Sequence, residues 1–149
     1  MADSVAEQTT IDAPVDQCLA VLLDFESYPQ WARDLKEATV LDRDAQGRGV
    51  EVRFRAAGMG YSTSYTLRYD HTEPNKLAWK LIKGDLTRKL DGFYAFTETD
   101  GGKSVDVAYA LDAELIVPLP GFIKRRTQLK IMHTALKELK ARVEGSAPS

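Results

Sequence analysis

The stretch Pro118–Glu144 constrains the fold more than any other. It opens Pro-Leu-Pro-Gly-Phe-Ile-Lys-Arg-Arg and then runs to Leu139 without another Pro or Gly. The pattern predicts one long C-terminal helix of about 23 residues, roughly 35 Å long. Phe122, Leu129, Met132, Leu136, Leu139 and Val143 recur at helical spacing and make one apolar stripe. Burying that stripe is worth on the order of 10 kcal/mol gross, an upper figure. The helix therefore needs a large apolar surface to lie against.

The middle of the chain supplies it. From Leu35 to Leu115 the hydrophobic period is two. Val50, Val52, Phe54 and Ala56 alternate with Glu51, Arg53 and Arg55, as a half-buried strand should. Tyr61 to Tyr69, Leu77 to Ile82, Thr87 to Thr99 and Val105 to Leu115 repeat the pattern. Leu90, Gly92, Tyr94 and Phe96 share one face, while Phe93 falls on the other. Ala45-Gln46-Gly47, Gly58-Met59-Gly60, Glu73-Pro74-Asn75, Gly84-Asp85 and Asp100-Gly101-Gly102 are turns. About seven strands joined by short turns make an antiparallel meander. One face is polar and the other aromatic. The expected architecture is α+β, a curved antiparallel sheet wrapped around the long C-terminal helix.

Ahead of the meander, Ser4–Ile11 reads as a first strand. Pro14 stands where a helix begins, and Val15, Cys18, Leu19, Leu22 and Leu23 give it an apolar face. Pro29 separates a second short helical piece from it. These two short helices, with aromatic residues at their joint, would plug one end of the sheet.

Composition narrows the partners. Lys and Arg number 20 against 22 Asp and Glu, a net charge of −2. That balance gives no reason to expect nucleic acid or an anionic membrane surface as partner. One cysteine permits no intramolecular disulfide and suits a reducing compartment. The N-terminal residues lack a basic-then-apolar leader pattern, and no run reaches the length of a membrane span. The expectation is a cytoplasmic single domain over residues 1–149, with a core of about 5–144 and a frayed tail at 145–149. The charged outer strand face predicts a monomer or weak homodimer.

Ile11-Asp12-Ala13-Pro14, followed by Val21-Leu22-Leu23-Asp24-Phe25-Glu26-Ser27-Tyr28-Pro29-Gln30-Trp31, resembles the N-terminal signature of the START/Bet v 1-like superfamily. The match is to its polyketide cyclase/dehydrase and coenzyme Q-binding branch, and extends from about Val5 to Val143. The resemblance implies a helix-grip fold with a deep cavity between sheet and long helix. Members bind lipids, sterols, quinones or polyketides there, and a minority catalyse aromatic ring closure and dehydration. Fold alone does not decide between these.

The inward list is Phe54, Tyr65, Tyr69, Trp79, Tyr94, Tyr109, Phe122 and Met132, with Leu129 beside them. Two arrangements satisfy it. One is an apolar pocket with a few orienting hydroxyls. The other is a packed core whose tyrosine oxygens reach the surface. Lys124-Arg125-Arg126 sit in the first turns of the helix, where the macrodipole disfavours cations. Arg125 shares the phase of the apolar stripe. It is expected either to hold an acidic or carbonyl group at the cavity mouth, or to snorkel to solvent or pair with Asp112 or Glu114. His71 and His133 share no ligand spacing and no cysteine cluster supports a metal, so neither metal nor cofactor is expected. Cys18 reads as a small buried hydrophobe. Three functions remain. The first is carriage of a hydrophobic small molecule. The second is polyketide cyclisation with Arg125, His133 and tyrosine hydroxyls as the polar groups. The third is protein interaction through the outer sheet face.

Overall fold

The computed structural model describes residues 5–58, 61–116 and 120–146. Met59 and Gly60 of the expected hairpin connection, Pro118 at the head of the long-helix stretch, and residues 147–149 of the tail lie outside them. The chain runs through β1 (Val5–Ile11), α1 (Val15–Leu23), a 3₁₀ helix (Phe25–Gln30), β2 (Leu35–Arg43), β3 (Gly49–Gly58), β4 (Tyr61–Asp70), β5 (Lys76–Gly84), β6 (Thr87–Thr99), β7 (Ser104–Leu115) and α2 (Gly121–Ser146). Pro14 is extended, and its carbonyl accepts the first bonds of α1 from the Gln17 and Cys18 amides. The Asp100–Gly102 turn places three successive residues at positive φ, the conformation glycine adopts most cheaply.

All seven strands form one antiparallel sheet in the order β1-β7-β6-β5-β4-β3-β2. β2 to β7 are the expected meander. β1 pairs with β7, so α1 and the 3₁₀ helix carry the chain from one sheet edge to the other. The outer face is charged and paired, as in Arg68–Glu51 at 2.7 Å and Lys89–Asp112 at 2.7 Å. Phe93 lies on this outer face, where the Lys76 ammonium sits 4.5 Å above its ring.

The β5–β6 hairpin is splayed. Its pairing covers Lys76–Trp79 against Gly92–Ala95. Nearer the turn, β5 follows β4 and β6 follows β7. The Leu81 amide, left without a strand partner there, donates to the Asp91 carboxylate at 3.0 Å. On the inner face Trp79 packs directly over Gly92. A Cβ at residue 92 would stand 2.4 Å from the Ala110 carbonyl oxygen and 2.9 Å from the Trp79 ring.

α2 lies on the inner face, with its main backbone approaches to β1, β7 and α1. Met132, Leu136, Leu139 and Val143 are buried, as the stripe requires. The stripe does not hold to its start. Phe122 was expected inside and is 69 % exposed. Six of the seven residues from Gly121 to Thr127 are exposed, and the first buried one is Gln128. The reason is geometric. Among the described residues β1 pairs with β7 from Ile11–Val105 to Val5–Leu111, and the next inward step of β7, Ala113, gives its amide to Gln128 Oε1 at 2.7 Å. Beyond that bond the helix outruns the surface it lies on. At its other end α2 runs through Gly145 and Ser146, into the expected tail.

Candidate functional site

Strand alternation turns Phe54 of β3, Tyr65 and Tyr69 of β4, Trp79 of β5, Tyr94 and Phe96 of β6 and Tyr109 of β7 to the same side. With Phe25 and Tyr28 of the 3₁₀ helix as the link between Phe54 and Tyr69, their rings form a continuous chain. Phe54 lies 5.7 Å from Tyr65, Tyr69 is 5.9 Å from Trp79, Trp79 is 5.5 Å from Tyr94, and Tyr94 is 4.5 Å from Tyr109. The 3₁₀ helix docks into this wall. Its Phe25 ring sits 4.4 Å from Tyr69 and its Tyr28 ring 5.7 Å from Phe54. Met132 is fully buried and Leu129 half-buried, both packed against the same core from α2.

The hydroxyls distinguish these tyrosines. Tyr28 Oη donates to the Leu22 carbonyl at 2.6 Å, within the last turn of α1. Among the described residues Tyr65, Tyr69, Tyr94 and Tyr109 have no hydrogen-bond partner for their hydroxyls. Their oxygens are not sealed in either. Among the described residues, Gln17 Oε1 is the one buried side-chain polar atom without a partner. Tyr69, Trp79, Tyr94 and Tyr109 keep 6–8 % exposure, whereas Val52, Val105 and Val107 beside them keep none. Accessible polar atoms thus persist on the aromatic wall.

Burial raises the ionisation of Tyr28, Tyr65, Tyr69, Tyr94 and Tyr109 beyond the ordinary phenol range. Mutual repulsion adds to it: Tyr28 feels Tyr94, Tyr109 and Tyr65, and Tyr94 feels Tyr69, Glu138 and Tyr65. At neutral pH all five are neutral, each able to donate and accept.

Three expected site residues stand elsewhere. Phe122, Arg125 and His133 are exposed on α2. Arg125 shares the stripe's phase, but the first turns of α2 overhang the sheet, so that phase faces solvent there. Asp112 and Glu114, its candidate partners, pair instead with Lys89 at 2.7 Å and Arg88 at 3.7 Å. His133 faces away from the core on the middle of α2. His71 Nε2 lies 2.6 Å from the Gly49 carbonyl oxygen, at the head of β3. Cys18 is fully buried, and desolvation pushes its thiol up to about 11, which suppresses thiolate chemistry.

Two residues of the site escaped sequence reasoning. Tyr28 becomes part of the wall only once the 3₁₀ helix is docked. Gln128 carried a usable signal: a polar residue four before Met132, in phase with Leu136 and Leu139. Among the described residues there is no group of three or more metal-ligating side chains, and no helix is long and apolar enough to cross a membrane.

Comparison with known proteins gives a consistent answer. Residues 2–144 match the family model described as polyketide cyclase / dehydrase and lipid transport. A START superfamily protein from Mycobacterium smegmatis superposes with a TM-score of 0.90 at 24 % identity, over 97 % of this chain and 99 % of that one. The Zhui aromatase/cyclase from Streptomyces sp. R1128 gives 0.78 at 16 % identity, over 95 % and 93 %. A STAR-related lipid transfer protein from Xanthomonas axonopodis gives 0.72 at 16 % identity, over 94 % and 85 %. A search of curated proteins returns no match.

Proposed function

Since the chain belongs to the polyketide cyclase/dehydrase and lipid transport family, we propose that it binds a hydrophobic small molecule between the aromatic wall and α2. The observation that carries this reading is the set of four tyrosine hydroxyls with no partner among the described residues. These oxygens stay accessible on an otherwise apolar wall, which leaves them able to meet polar atoms of a ligand. A ligand with several carbonyl or hydroxyl oxygens on a flat apolar frame satisfies them, while the rings of Trp79, Phe54 and Phe96 cover its faces. An oxygenated aromatic, such as a quinone or a polyketide-like ring system, fits better than a bare acyl chain.

The same hydroxyls favour binding over general acid–base catalysis. Their ionisation is raised far from neutrality, which makes them poor bases at pH 7. His133 and His71 lie outside the cluster. Arg125, the other polar group a cyclase would need, faces solvent.

Native mass spectrometry of the purified protein, followed by denaturing extraction, tests the reading. The expected result is a co-purifying oxygenated apolar molecule. Failing one, a naphthoquinone or hydroxyanthraquinone should raise the melting temperature, because a ligand that binds only the native state must stabilise it. Removing two hydroxyls in Tyr94→Phe/Tyr109→Phe should weaken that ligand about tenfold or more. An empty protein that no such compound stabilises would overturn the proposal. Turnover of a poly-β-keto mimic, lost in the same double variant, would move the assignment to the cyclase.

A further inference from the structure

The overhanging start of α2 shares one end of the molecule with the β5–β6 turn and the end of β7. Thr87 pairs with Leu115, and the Ile116 amide donates to the Leu86 carbonyl at 2.9 Å. α2 begins five residues after Ile116, within about 18 Å of chain. Six large apolar side chains are exposed at this end: Ile82, Leu86, Leu115, Ile116, Phe122 and Ile123. Single exposed apolar residues are ordinary, but six at one end of a small domain are not. Elsewhere among the described residues only Leu41 and Ile131 are exposed to this degree.

Charge is concentrated at the same end. Residues 82–89, 112–116 and 120–126 carry six Lys and Arg against three Asp and Glu, of which Asp112 pairs with Lys89 and Glu114 with Arg88, in a chain whose net charge is −2. Lys83, Arg88, Arg125 and Arg126 are exposed. The first turn of α2 has no acidic residue. Cations at a helix start oppose the macrodipole and cost helix stability, so their placement calls for a reason outside the helix.

We propose that this end docks onto an anionic lipid bilayer. The apolar tips enter the interfacial layer, and the arginines, with their stems along them, stay at headgroup level. Each basic residue near an anionic surface adds attraction, and the free amides at the start of α2 carry the same sign. The tips come from a turn, a strand end and a helix start. A second copy docking through the same patch would set its cations against their own copies, Arg125 and Arg126 among them, which disfavours a symmetric dimer. This placement brings the splayed part of the β5–β6 hairpin to the lipid surface, where an apolar ligand is dissolved.

Co-sedimentation of the full chain with phosphatidylcholine vesicles, with and without phosphatidylserine, tests the proposal. Binding should require phosphatidylserine and weaken as salt is raised. Arg125→Ala/Arg126→Ala should weaken it about thirtyfold, and Phe122→Ser about tenfold. Ile116→Ser, on a different element, should act in the same direction. Because these side chains are exposed, all variants should melt with the wild type, which separates lost docking from lost folding. No binding to phosphatidylserine vesicles, or undiminished binding by both the double variant and Phe122→Ser, overturns the proposal. Retention on an acidic polypeptide without vesicle binding overturns it in favour of an acidic protein partner, and self-association lost with Phe122→Ser overturns it in favour of a second copy. The assay needs no interior ligand, so its failure leaves the ligand-binding reading standing.

Discussion

The two ends of α2 have opposite surroundings. Toward its C-terminus, Leu139 and Val143 are fully buried among Ile11, Cys18, Val105 and Val107, all at or below 1 % exposure. Polar ties hold that end down: Arg33 N–H to Glu138, Lys140 Nζ to the Thr10 carbonyl, Arg142 to Gln30 and Asp12 N–H to Glu144. Toward its N-terminus, aliphatic neighbours give way to aromatic rings with partnerless hydroxyls, and past Gln128 the helix leaves the sheet. One helix thus joins a dry, latched end to an end whose interior keeps accessible polar atoms. A packed end supplies stability; a binding site can be made only where packing is left incomplete.

The sharpest break of this contrast is a large-to-small change at each end. Leu139→Ala should cost about 3 kcal/mol and lower the melting temperature by roughly 10 °C. Phe122→Ala, at the overhang, should stay within about 0.5 kcal/mol of wild type. Urea denaturation measures both, and equal losses would abolish the distinction between the two ends of the helix. Next comes Gly92→Ala. The aromatic wall keeps accessible polar atoms, yet its backbone is close-packed. A methyl group there meets the Ala110 carbonyl at 2.4 Å, and the overpacking should cost about 2 kcal/mol. A neutral result would mean that Trp79 and β7 yield easily, and that the wall is soft.

Tyrosine-to-phenylalanine changes divide the site more finely. Tyr28→Phe removes the bond to the Leu22 carbonyl and should cost about 1–2 kcal/mol. Tyr109→Phe and Tyr94→Phe remove hydroxyls with no protein partner and should cost under about 0.5 kcal/mol in the ligand-free protein. With ligand bound, the order reverses for affinity. A loss at Tyr94 or Tyr109 as large as at Tyr28, measured without ligand, would mean that these oxygens have protein partners in solution.

Much of this contrast was legible in the sequence, and its position was not. Alternation put Phe54, Tyr65, Tyr69, Trp79, Tyr94 and Tyr109 on one face, because strand period alone decides that. Helical spacing gave Met132, Leu136, Leu139 and Val143 correctly for the same reason. Phe122 shares their phase and failed, since periodicity reports the direction of a side chain and not whether anything stands opposite it. Where the helix loses its cover is decided by tertiary packing, which a periodicity does not carry. Arg125 failed with Phe122. The net charge of −2 hid the local excess of cations, because a sum over the chain carries no positions. Phe93 had no sequence explanation until β5 brought Lys76 over its ring.

The smallest effect belongs to the latch. Glu144 accepts from the Asp12 amide at 2.9 Å and from Lys140 Nζ at 2.6 Å. The amide bond first, then the lysine, holds its carboxyl below the ordinary glutamate range. A group whose folded pKa is depressed stabilises the native state above the unfolded pKa and loses that contribution as pH falls through the folded value. Glu144→Gln should therefore cost a few tenths of a kcal/mol at pH 7, since the pair is partly exposed and screened. The gap between variant and wild type should close as pH drops below about 4. Hydrogen exchange at the Asp12 amide should quicken in the variant at neutral pH, while ligand-induced stabilisation at the other end of α2 stays unchanged. A gap that persists at low pH would show that the carboxylate acts through its shape and not its charge. A changed ligand response would show that the two ends of the helix are mechanically coupled, and that the dry end helps to set the site.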